Sequence, residues 1–97
     1  MNIEQILNIN VQELMENSLG SFGDIYCNFA ILQNRIAAQN ELSAKERRNL
    51  PKEYMLFRDE VARRIECCRQ MTFKRYKYDA WHKELKSFYE RLPTALE

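Results

Sequence analysis

The chain has 97 residues, 45% of them hydrophobic and 30% charged, with a formal net charge of +1. That mixture is too apolar for a disordered polymer, its length suits a single domain over residues 1–97, and no run approaches the roughly 18 apolar residues that a membrane-crossing helix needs. Two glycines and two prolines are too few for an all-β fold, which uses turn residues roughly every 8–12 positions, so the composition predicts an all-α domain.

The opening segment, Met1 to Leu7, has neither a basic flank nor a long apolar run and does not read as a signal peptide. Three cysteines, Cys27, Cys67 and Cys68, are odd in number and lack a C-x-x-C spacing, which points to reduced thiols inside a cell. The small net charge hides an asymmetry. Residues 1–44 carry one basic side chain (Arg35) against five acids (Glu4, Glu13, Glu16, Asp24, Glu41), whereas residues 45–97 carry fourteen basic and nine acidic ones. The halves are therefore −4 and +5, a polarity that suggests charged partners.

Ile3, Ile6 and Leu7 make a short apolar face. Asn10 followed by Glu13 has capping-box spacing and opens a short helix through Val11, Leu14, Met15, Ser18 and Leu19, with Gly20 as its stop. Ser21 or Asp24 caps the next helix, where Ile25, Phe29, Leu32 and Ile36 recur at i, i+4, i+7 and i+11. Cys27, beside that stripe, is expected to be buried as a small hydrophobe. Ser43-Ala-Lys-Glu46 is a second capping box, opening about one turn before Leu50, and Pro51 suits the first turn of a long helix.

Between Pro51 and Pro93 there is no glycine or proline. Tyr54, Phe57, Val61, Ile65 and Cys68 lie on one helical stripe, and Met71, Tyr78, Leu85 and Leu92 fall seven apart, with Trp81 and Phe88 as their i+3 companions. The pattern predicts one long, kinked helix or two nearly collinear ones, with a break near Thr72–Asp79 and Asp79 as the cap of any restart. The expected architecture is short N-terminal helices packed on this long C-terminal element. A dimer through the Met71–Leu92 seam is an open alternative.

No G-x-G-x-x-G, Walker or nucleophile-elbow pattern occurs, and His82, the single histidine, has no metal-ligand spacing around it. A pairing of Cys67 or Cys68 with His82 requires a fold-back that the helical pattern argues against. The expectation is a protein with no catalytic residue, metal or cofactor. A helix-turn-helix around Gly20 is disfavoured, because its second helix carries no basic residue before Arg35 and phosphates would be repelled by the acidic half.

The segment that stands out is Arg63–Trp81. Arg63, Arg64, Arg69, Lys74, Arg75 and Lys77 alternate with Phe73, Tyr76, Tyr78 and Trp81, against the single acid Glu66 between Arg63 and Lys77. Arginines and aromatics dominate protein-binding hot spots. The same mixture also releases counterions from phosphates and stacks on bases. Against both stands the plain reading in which Tyr78 and Trp81 belong to the core and the charges to a solvated face.

Read whole, the chain resembles the small anti-RecBCD proteins of temperate lambdoid phages, of the Salmonella-phage type that modifies RecBCD through its RecC subunit. The resemblance is carried by MNIEQILNINVQELMENSLG, LPKEYMLFRDEVARRIECCRQ and YDAWHKELKSFYERLP, and spans essentially the full length. It implies a protein of the host cytoplasm that binds the helicase-nuclease RecBCD. It would inhibit or redirect DNA-end processing and RecA loading, in favour of phage recombination. Under that resemblance the acids Glu4, Glu13, Glu16 and Asp24 would face basic patches of RecC, or the Arg63–Trp81 face would anchor in one of its grooves.

Overall fold

Residues 2–18 and 22–96 are described by the computed structural model, which is all-α: α1 (Asn2–Leu7), α2 (Val11–Asn17), α3 (Gly23–Ala37), a 3₁₀ turn (Gln39–Glu41), α4 (Ala44–Gln70) and α5 (Arg75–Arg91). Its starts follow the capping residues. Asn10 accepts a hydrogen bond from the Glu13 amide at 3.1 Å, and Ser43 accepts one from the Glu46 amide at 3.2 Å. Helix α3 differs: its cap position is Phe22, without a side-chain hydrogen bond, while Asp24 lies in the first turn and Ser21 falls outside the described residues. The expected stop at Gly20 and the face residue Leu19 also lie outside them.

The expected break between Thr72 and Asp79 is a full reversal. Helix α4 ends at Gln70, α5 starts at Arg75, and the two pack antiparallel along their lengths. Phe57 meets Phe88 with ring centroids 6.1 Å apart, the Arg58 guanidinium sits 4.5 Å from the Tyr89 ring centroid, and the Tyr54 hydroxyl donates to the Pro93 carbonyl. The reversal turns on Lys74, whose φ of 54° is left-handed. A glycine is the ordinary signal for that conformation, and its absence is why the sequence pattern predicts collinearity. Asp79 is not the cap; it lies in the second turn of α5 and pairs with Arg75 at 3.2 Å.

Pro51 is likewise not in a first turn. Helix α4 begins at Ala44 and runs through Pro51, its eighth residue, at a position where proline removes one backbone hydrogen bond. Burial of Leu50 (3% exposed) and Tyr54 (fully buried) on both sides anchors the segment against α3 and the chain end.

The core lies where α3 meets the α4–α5 hairpin. Phe88 is its centre: Tyr26 and Phe29 of α3 approach it edge-on at 5.3 and 5.2 Å, and Phe57 of α4 from the other side. Ile25, Leu32, Ile36, Val61, Leu85 and Leu92 are among the buried side chains around it. Of the seam residues, Leu85, Phe88 and Leu92 are buried within the chain, whereas Met71 is exposed and Tyr78 and Trp81 are half-buried. Helices α1 and α2 cover the other side of α3, where the Gln33 amide donates at 2.8 Å to the carbonyls of both Ile6 and Ile9. The Ile6 carbonyl lies in the last turn of α1, where it also accepts from the Ile9 amide at 3.3 Å, and Ile9 lies just beyond that helix, where carbonyls lack the regular intrahelical donor. Cys27 is exposed, contrary to expectation: two residues after Ile25, it is rotated about 200° from that buried position.

Candidate functional site

At the closed end of the α4–α5 hairpin, the last turn of α4, the first turns of α5 and the start of α3 enclose an open groove of about 850 Å³. Its apolar walls are Phe22, Cys68, Met71, Tyr78 and Trp81. The walls stand in a chain of edge-on rings: Phe22 meets Trp81 at 5.8 Å, and Trp81 meets Tyr78 at 5.1 Å. Only Phe22 of these three is buried; Tyr78 and Trp81 are half-buried and pack against the core. Beyond them, Phe73 (74% exposed) and Tyr76 (78% exposed) stand in solvent.

The ten basic and aromatic candidates named within Arg63–Trp81 separate into three groups. Arg63, Arg64, Arg69 and Arg75 are each held by a carboxylate: Arg63 by Glu60, Arg64 by Asp24 at 2.6 Å and Glu60 at 3.1 Å, Arg69 by Glu66 at 3.6 Å, and Arg75 by Asp79. The Arg64 hydrogen bond holds the Asp24 carboxyl below its usual range, and Arg63 and Arg64 together do the same for Glu60. Lys77 lies 4.6 Å from the Trp81 ring centroid, and Lys74 lies 5.8 Å from that of Phe73. Among the described residues neither lysine has a carboxylate within ion-pair distance. The third group is aromatic: Tyr78 and Trp81 are walls, Tyr76 is an exposed ring on the groove's rim, and Phe73 stands in solvent.

No family model, curated protein or solved structure matches this chain.

Five contributors to the groove, Phe22, Cys67, Cys68, Met71 and Ala80, are not among the basic and aromatic candidates read from sequence, although all but Phe22 lie within the same segment. Phe22 was legible as the start of its stripe, three residues before Ile25. The two cysteines enter through the reversal, which brings the end of α4 beside Trp81. The fold-back that a cysteine–histidine pair requires does exist, but it separates the partners. Cys67 and Cys68 face this groove, while His82 lines another of about 440 Å³ with Ile65, Glu66, Arg69 and Lys86. Burial pushes the Cys68 thiol above its ordinary value, with a smaller effect from Cys67, which is opposite to activation. Among the described residues no cluster of three or more His, Cys, Asp or Glu side chains is arranged to hold a metal ion, and no helix is long and apolar enough to cross a membrane.

The two grooves differ in charge. The larger is lined by two charged side chains, Arg64 and Lys77, both basic. The smaller sets Glu66 and Glu90 against Arg69, His82 and Lys86. What the larger groove offers chemically is an apolar floor with a cationic edge.

Proposed function

We propose that this chain is a non-catalytic, phage-encoded modulator that binds the host RecBCD helicase-nuclease through RecC. Bound there, it inhibits or redirects DNA-end processing and RecA loading, so that phage recombination is favoured. The partner is suggested by the resemblance of the three segments named above. The binding mode is supported by one observation: Phe73 and Tyr76 leave about three-quarters of their surface in water at the tip of the hairpin, beside Lys74 and Lys77. Large rings exposed together are a cost to an isolated protein, and such rings with cations are what protein interfaces bury.

A nucleic-acid surface built on the same segment has less support. Four of its six basic side chains already lie against carboxylates, which would repel a phosphate backbone and leave few cations to displace its counterions.

The test is capture of partners by the tagged chain from nuclease-treated Escherichia coli lysate at moderate salt. Stoichiometric recovery of the RecBCD subunits is the expected result. Recovery of nucleic acid, or of nothing, with RecBCD absent would contradict it.

A further inference from the structure

We propose that the groove at the closed end of the α4–α5 hairpin seats a linear acidic segment of the protein partner, with an apolar side chain on its floor and flanking carboxylates at Lys74 and Lys77. This rests on the reading of the chain as a protein-binding module and adds the chemistry of what is bound.

Size is the first argument. About 850 Å³ lies within the roughly 300–1,000 Å³ of clefts that enclose a drug-sized molecule, so the groove takes a few side chains rather than a folded surface. Its floor, made by Phe22, Cys68 and Trp81, asks for an aliphatic or aromatic anchor.

Charge complementarity is the second argument. The charged lining residues are Arg64 and Lys77, and Lys74 and Arg75 immediately precede the lining residue Tyr76 in the chain. Arg64 is already satisfied by Asp24 and Glu60, and Arg75 by Asp79, which leaves the two lysines as the cations for an incoming anion. Each lysine rests against an aromatic ring, so a carboxylate reaching it also brings its neighbouring apolar side chain onto that ring. The first turn of α5 contains no acid to oppose this, and its peptide dipoles add to the positive potential. The smaller groove, with acids and bases in balance, has no such preference.

The full chain is titrated with an acetylated and amidated nonapeptide, Asp-Glu-Leu-Asp-Phe-Glu-Leu-Asp-Glu, following the fluorescence of Trp81, the single tryptophan. A version with lysine at every acidic position and a short oligothymidylate are run alongside. A saturable change with the acidic peptide alone is expected, weakened about fivefold or more by Lys77→Glu. Lys77 is exposed, so that substitution spares the fold, which circular dichroism verifies. No saturation with the acidic peptide, equal binding of the lysine version, or tighter binding of the oligonucleotide would each overturn the proposal. Purified RecBCD separates the two readings. Capture that persists undiminished in Lys77→Glu refutes the acidic-segment groove and leaves the RecBCD assignment standing. Peptide binding without RecBCD capture refutes the assignment and leaves the groove standing.

Discussion

Phe22 and Trp81 meet edge to face with ring centroids 5.8 Å apart. One ring belongs to the buried start of α3, the other to the half-buried flank of α5, so the wall of the groove continues directly from the core. Replacing Trp81 or Tyr78 therefore removes packing and docking surface together. Phe73 and Tyr76, which stand clear of the core, separate the two effects.

Phe88→Ala should destabilise the chain by about 3–5 kcal/mol, because it empties a fully enclosed site among Tyr26, Phe29 and Phe57. Phe73→Ala should stay within about 0.5 kcal/mol of the parent. Urea denaturation followed by circular dichroism measures both, and equal effects from the two would contradict the placement of the core.

Lys74→Gly should leave stability unchanged or raise it by up to about 1 kcal/mol, since the left-handed backbone at φ 54° is strained for lysine and free for glycine. Its opposite, Lys74→Val, should lower the melting temperature, because a β-branched side chain fits that conformation poorly. A loss of stability in the glycine variant would place the reversal elsewhere.

Acid should loosen the α3–α4 contact. Arg64 holds Asp24 below its ordinary 3.8, and Arg63 and Arg64 hold Glu60 below 4.5, so both contribute stability that is present above those values and lost as pH falls through the lower folded ones. Asp24→Asn should flatten the fall of the urea midpoint at acid pH. At the alkaline limit the sign reverses. Burial pushes the Tyr54 hydroxyl up to about 12, and burial with Glu84 pushes Tyr26 higher still, above the ordinary 10.0. Stability is intact below pH 10 and declines as the pH rises toward 12, where Tyr54 ionises in the folded state as well. Tyrosinate absorbance and helix content should change together over that range; ionisation of all five tyrosines near pH 10 with the helix retained would contradict the burial.

Thiol labelling should divide the cysteines. Cys27 and Cys67 are exposed and should react with maleimide readily, whereas Cys68 is buried with a raised pKa and should lag by about tenfold or more until urea is added. Mass spectrometry of timed samples reads this directly, and early triple labelling would contradict the packing of α4 against Trp81.

Much of the fold is written in local signals. Asn10 and Ser43 mark their helices, and the stripes through Phe29 and Val61 name the core, because caps and periodicity act within one element. The reversal is not local in that sense. Lys74 carries no mark of a left-handed residue, and what stabilises the turn is the distant burial of Leu85 and Phe88 against α3 and α4. The same limit applied to the site. Its cations and rings were legible as a segment, but which arginines are neutralised depended on Asp24 and Glu60, the former forty residues from Arg64 in the chain. Pro51 shows the converse, a strong local signal overridden by the Ser43 cap and the burial of Leu50 and Tyr54.

In the proposed function the tip of the hairpin, rather than the acidic half, meets the partner. The most direct test of that contact is the affinity of purified RecBCD for the parent chain and for the double variant Phe73→Ala/Tyr76→Ala, measured at two salt concentrations. A loss of about 2 kcal/mol or more in the variant, with helix content unchanged, is the predicted result. Parent-like affinity in the variant, or binding that vanishes with salt as it would for phosphate contacts alone, would contradict it.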